Sequence, residues 1–78
     1  MTTALDIVSA YTWRTVGRDA TPEDTFRDLH FDAVDRTCIA MDIEEMFGRE
    51  LPDAEVEAWT SVADVAATIE ALAREKAA

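Results

Sequence analysis

Residues 33–47 leave the backbone little choice. Asp32 precedes them as a capping residue, and Asp35 lies three positions on, where a carboxylate complements an amide-rich helix end. Gly48 follows as a residue able to turn left-handed past the last turn. Between these signals Ile39, Ile43, Met46 and Phe47 recur on one stripe. Val34, Thr37 and Met41 lie on another side, and Asp42, Glu44 and Glu45 make the solvent side acidic. The spacing predicts a helix over 33–47, with Met46 in the core and Met41 exposed.

The flanking segments read as further helices. Leu5, Val8, Thr12 (by its methyl) and Val16 keep helical spacing, and Ile7, Tyr11 and Trp13 broaden the stripe. With Thr2 or Thr3 as cap and Gly17 as stop, a first helix is expected over about residues 3–16. Residues 18–31 hold Pro22 and mixed charges without a sustained period, so they read as a loop crossing the domain. Thr21-Pro22-Glu23-Asp24 fits a short helical turn with Thr21 as its cap. Phe26, Leu29 and Phe31 are the loop's apolar anchors.

Pro52 biases Leu51 away from helical geometry, so residues 50–53 read as an extended connector. Asp53 is then expected to cap a short helix, 54–58, with Val56 and Trp59 as apolar contacts. Ser61 and Asp64 have the spacing of a capping box for a last helix. Its buried stripe is Val62, Val65, Ala66, Ile69 and Leu72 with Ala73, and its end is expected to fray. The sum is all-α: a single domain over 1–78, a small up-down bundle of three main helices plus one short helix.

Charge narrows the function. Seventeen acids against seven bases give a net charge of −10, which repels nucleic acid and anionic membranes and attracts basic protein surfaces. Nine of the acids and two of the bases fall within residues 32–58, a local balance of −7. No apolar run approaches a membrane span, and the start lacks a signal-peptide pattern. The lone Cys38 fits a reducing compartment, reads as an inert small residue, and has no partner for an internal disulfide. A cytoplasmic monomer is expected. No nucleophile–base pair, metal set or phosphate loop points to an enzyme. His30 reads as a loop residue, and Trp13 and Trp59 as core or edge packing.

Four segments carry a resemblance. Phe26-Arg27-Asp28-Leu29-His30-Phe31-Asp32-Ala33-Val34 resembles the Phe-x-(Asp/Glu)-Leu-Gly-x-Asp-Ser-Leu signature of acyl and peptidyl carrier proteins. The acidic helix follows it. Then come Glu50-Leu51-Pro52-Asp53 and Trp59-Thr60-Ser61-Val62, which are similar to that family's connector and its entry to the last helix. The resemblance spans residues 22–72 and implies an acyl-carrier-like bundle.

In that family a serine carries 4'-phosphopantetheine, installed by a phosphopantetheinyl transferase, and the arm's thiol holds acyl groups as thioesters. By this likeness residues 32–34 surround the attachment position, with phosphate beside unpaired helix-end amides and Asp32 and Asp35 facing the transferase. Asp35, Arg36, Thr37, Met41, Glu44 and Glu45 would meet acyl-transfer and synthase enzymes through basic docking patches. Ile39, Ile43, Met46, Phe47 and Ile69 would shelter the acyl chain.

The departures matter as much. Ala33 stands where the family has its serine and has no hydroxyl to esterify. Ser9 and Ser61 lie in other surroundings. His30 stands where the family has glycine, Arg36 adds a cation to the docking helix, and Cys38 stands where an acid is common. The expected function is therefore an acyl carrier in a form that cannot be modified. An introduced serine-to-alanine change is favoured over a natural, arm-less adaptor or regulator. An acidic bundle that mimics nucleic acid is the remaining rival, and it would need charge spread over the whole surface.

Overall fold

The computed structural model describes residues 4–77. Its helices are α1 (Ala4–Thr15), α2 (Ala33–Phe47), α3 (Asp53–Ala58) and α4 (Val62–Ala77), and among the described residues the one β-type pairing is an isolated bridge between Thr25 and Ser61. α1 packs on α4 and α2, and α2 also meets α3 and α4. The proposed caps Thr2 and Thr3 lie outside the described residues.

α2 starts and stops where its signals stand. Asp32 accepts from the Asp35 N–H (3.0 Å), and the Asp35 carboxylate accepts from the Asp32 N–H (3.1 Å), closing a reciprocal cap. Gly48 turns left-handed at φ 64°. α4 starts on a similar device: Asp64 accepts from the backbone N–H groups of Thr60 (2.8 Å) and Ser61 (3.1 Å). Those donors, the Thr60 N–H first, hold the Asp64 carboxyl below its ordinary range.

α3 departs from expectation. Pro52 is its N-cap, Asp53 lies inside the helix, and no side chain caps the end. The Pro52 carbonyl accepts from both Glu55 (3.0 Å) and Val56 (3.3 Å), so the helix begins one residue early. No α3 residue is fully buried.

The loop over 18–31 is pinned at three places. The buried Thr12 hydroxyl donates to the Arg18 carbonyl (2.6 Å). Arg18 grips Asp24 through both terminal nitrogens (2.8 and 2.7 Å), which holds that carboxyl well below the usual carboxylate range. The Val62 N–H donates to the Asp24 carbonyl and the Phe26 N–H to the Thr60 carbonyl, tying the loop to the α3–α4 junction. In the turn at 21–24 the capping is reversed: Asp24 accepts from the Thr21 N–H (2.8 Å).

The core joins Val8, Phe26, Leu29, Ile39, Ile43, Trp59, Val62 and Val65, with Phe31, Phe47 and Ile69 packed at its edge. Trp59 is nearly closed off, and its ring N–H donates to Thr68 Oγ1 (2.9 Å). Trp13 is 59% exposed, its ring N–H on Asp19 (2.7 Å), so it is a surface residue rather than core. Leu5 is exposed as well. Met46 is 38% exposed, which corrects its assignment to the core. The buried seam of α2 runs through Ile39, Ala40 and Ile43 toward Phe47. Met46 lies about 20° round the helix from Ile39, on the same stripe, but it sits in the last turn of α2, which ends at Phe47.

Candidate functional site

Ala33 opens α2 and is exposed, as is Val34 at 68%. The two approach segments meet here. The loop arrives through Phe26, whose ring packs edge-on against Phe31 (centroids 5.4 Å apart), and His30 bends the chain toward the helix at φ 59°. An L-residue there pays about 1–2 kcal/mol for the left-handed conformation, which glycine avoids at some entropic cost. His30→Gly is therefore expected to raise unfolding stability by about 0.5–1 kcal/mol, read as a higher urea midpoint.

The amides at this helix end are already engaged. Asp32 sits below its ordinary pKa, chiefly through the Asp35 N–H and also through that of Val34. The anion position at the head of α2 thus holds the chain's own carboxylate. That corrects the expectation of unpaired amides waiting beside residue 33. The Asp35 carboxylate is committed to Asp32 in the same cap.

The residues expected to meet partners divide in two. Val34, Thr37, Met41 (60% exposed) and Glu45 face outward. Glu44 is half-buried and accepts from the Leu51 N–H (2.6 Å), fixing the connector. Arg36 also turns inward. Its Nη2 donates to the Trp59 carbonyl (3.0 Å), its guanidinium lies 5.4 Å from the Phe26 ring centroid, and its Nε is buried without a partner. Arg36 is thus a clamp between the loop, α2 and the α3–α4 junction, not a cation offered to solvent. Nothing in the sequence periodicity marks that role, nor those of Thr68 and Leu51.

A groove of about 220 Å³ opens at Ala33 and runs between α2 and α3 past Thr37, Ala40, Met41, Leu51 and Val56. The residues expected to shelter an acyl chain line other places. Ile39 and Ile43 are fully buried, Phe47 and Ile69 pack at the core edge, and Met46 is exposed. Phe47 and Leu72 line a second depression of similar volume, beside the Arg49–Glu75 ion pair. On the far side of α2, the Tyr11 hydroxyl donates to Asp42 (2.5 Å). Its pKa is pushed up to about 12 by burial and then by that carboxylate. Cys38 is a half-buried free thiol.

Ala33 offers no oxygen for an ester, and nearby hydroxyls do not replace it. Thr37 donates to the Ala33 carbonyl (2.9 Å), Ser9 accepts from the Ala20 N–H (2.9 Å), and Ser61 heads α4. The residues present therefore do not fit covalent attachment of a phosphate-bearing arm at this helix end.

Comparison with known proteins supplies the context. A family model described as a phosphopantetheine attachment site matches residues 5–69. The chain is 38% identical over 60 residues to the mitochondrial acyl carrier protein of Dictyostelium discoideum, covering 77% of this chain and 49% of that protein. It is 47% identical over 45 residues to an acyl carrier protein of Rubrobacter xylanophilus, covering 56% of each. The chain thus spans about half the length of the curated relatives it matches. Among solved structures it is similar to BlmI, a type-II acyl carrier protein from Streptomyces verticillus involved in bleomycin biosynthesis. The TM-score is 0.66 at 25% identity, over 87% of this chain and 82% of that one.

Proposed function

The chain belongs to the acyl carrier protein family, whose prosthetic group is 4'-phosphopantetheine, and from that membership we propose that it is a carrier domain held in a form that cannot be loaded. Residue 33 is, on this reading, the attachment position. With serine there, a phosphopantetheinyl transferase would install the arm, and acyl-transfer or synthase enzymes with basic patches would handle its thioester. A loaded carrier would present a group to enzymes and catalyse nothing itself. The observation that carries the reading is the exposure of residue 33 at the head of α2, beside a groove and flanked by outward-facing Val34 and Met41.

The charge distribution suits this role. The balance of −7 over residues 32–58 favours fast, salt-sensitive encounters with basic surfaces, as a carrier visiting several enzymes requires. Val34 and Met41 serve those encounters rather than self-association, so the working state is a monomer. A cytoplasmic setting belongs to the same reading, in keeping with the free Cys38 thiol.

One observation favours a second reading, a natural arm-less adaptor. His30 in the left-handed region is a departure from the family's glycine that a single introduced change at residue 33 does not explain. Intact mass after incubation with coenzyme A, Mg²⁺ and a broad-specificity transferase separates the two. The expected result is no modification of the chain as it stands and near-complete addition of one phosphopantetheinyl group to Ala33→Ser. Failure of a folded Ala33→Ser variant to gain mass would overturn the carrier reading and leave the adaptor.

A further inference from the structure

The surface around residue 33 is complete except for one side chain. α2 begins at Ala33, and the cap that fixes its start is made between Asp32 and Asp35. The Ala33 carbonyl is held by the Thr37 hydroxyl (2.9 Å). Neither arrangement needs a hydroxyl at residue 33. Alanine suits a first turn, so the backbone that a partner meets is the one serine would give.

The apolar and acidic parts of that surface are in place. Val34 and Met41 are 68% and 60% exposed. Met41 borders the hollow at Ala33 together with Asp53 and Glu57, both exposed, and Glu45 faces outward one turn further along α2. An apolar centre with an acidic margin complements a basic enzyme surface that has an apolar seat. What is missing is one hydroxyl. For binding, a neutral hydrogen bond is worth about two- to tenfold in affinity. For transfer of a phosphopantetheinyl group from coenzyme A the hydroxyl is indispensable, because the group needs an acceptor oxygen and Ala33 has none. Binding and turnover are thereby separated in this chain.

We infer that the chain is a dead-end ligand of phosphopantetheinyl transferase: it occupies the enzyme's carrier site through Val34, Met41 and the acids around them, and holds back the loading of carriers that have the serine. The inference rests on the carrier reading above for its choice of partner. No product forms, so the complex ends only by dissociation. The chain is not consumed, and inhibition lasts as long as it is present.

The test follows loading of a serine-bearing acyl carrier protein by a broad-specificity transferase, with coenzyme A, Mg²⁺ and increasing amounts of the unmodified chain. The expected result is inhibition competitive with the carrier and not with coenzyme A, while the chain itself gains no mass. The inhibition constant should fall within about tenfold of that carrier's KM. Val34→Ala combined with Met41→Ala changes two exposed positions and no charge, and is expected to weaken inhibition about tenfold. Trp13→Ala, at an exposed position of α1, should leave inhibition within about twofold. Absence of inhibition at concentrations well above that KM would overturn the inference. So would inhibition that survives the double change, which marks binding by charge alone. Loading of Ala33→Ser is a separate measurement. If that variant is loaded and the unmodified chain does not inhibit, the carrier reading stands and this inference falls. If the folded variant is not loaded and the chain still inhibits, the inference stands and the carrier reading falls.

Discussion

Trp59→Ala is expected to lower the unfolding free energy by about 3–5 kcal/mol, the range for truncating a buried tryptophan. A domain of 78 residues has only about 4–12 kcal/mol to lose, so this one change removes a large share of it. The cost has two sources. The ring is 2% exposed and sits among Leu29, Ile39, Val62 and Val65, so its removal leaves a cavity at the junction of α3 and α4. Its N–H bond to Thr68 also disappears. Trp59 is the C-cap of α3 and Thr68 is buried in α4, so one tether between the two helices goes, while Thr68 still donates to Glu55 (3.1 Å). Urea unfolding followed by circular dichroism measures the loss. Trp13→Ala is the control: that ring is 59% exposed with one bond to Asp19, and its loss should cost under about 1 kcal/mol. Equal costs for the two tryptophans would contradict this division of the core.

The two tryptophans also show what the sequence could not say. Both were legible as packing residues, because an aromatic beside a helical stripe normally buries area. Which one lies inside depends on where the stripe is cut by its neighbours. In α1 the buried positions are Ile7, Val8 and Thr12, and Trp13 lies a further 100° round the helix from Thr12. Met46 differs for another reason: it shares the stripe of Ile39 but lies in the last turn of α2. Helix ends were more legible, because their signals are local. Asp32, Asp35 and Gly48 fix α2 without help from the rest of the fold, and Ser61 with Asp64 marks the start of α4. α3 lacks a side-chain cap, so its start came out one residue early, at a proline-bounded carbonyl.

The candidate site was legible in its position and not in its commitments. The motif around residue 33 located the head of α2, and Met41 is exposed as its spacing predicted. The groove was not legible, because sequence spacing finds the inward stripe of α2 and not the shallower side that α3 covers. Three charged residues on the same helix were read as available. Asp35 is spent on the cap, Glu44 on the Leu51 N–H, and Arg36 on Trp59 and Phe26. Those partners are remote in sequence or belong to irregular backbone, where periodicity carries no information.

Arg36 turns that difference into a measurement. Arg36→Ala is expected to cost about 2–3 kcal/mol of stability, from a charge-assisted bond to the Trp59 carbonyl and stacking on Phe26. Arg36→Lys should recover little, because an ammonium cannot bond the carbonyl and lie flat on the ring together. Arg36→Met keeps the apolar contact and removes the unpartnered buried Nε–H, so it should cost less than alanine, about 1 kcal/mol. A partner-facing arginine gives the opposite pattern: stability barely changes, and charge alone matters. The transferase rate on Ala33→Ser combined with Arg36→Met reads the other side of the question. The clamp role predicts that a folded double variant is loaded within about twofold of Ala33→Ser, since no charge on the docking surface has been removed. A large fall in that rate with stability unchanged would return Arg36 to the docking face and leave the α3–α4 junction without its tie to α2.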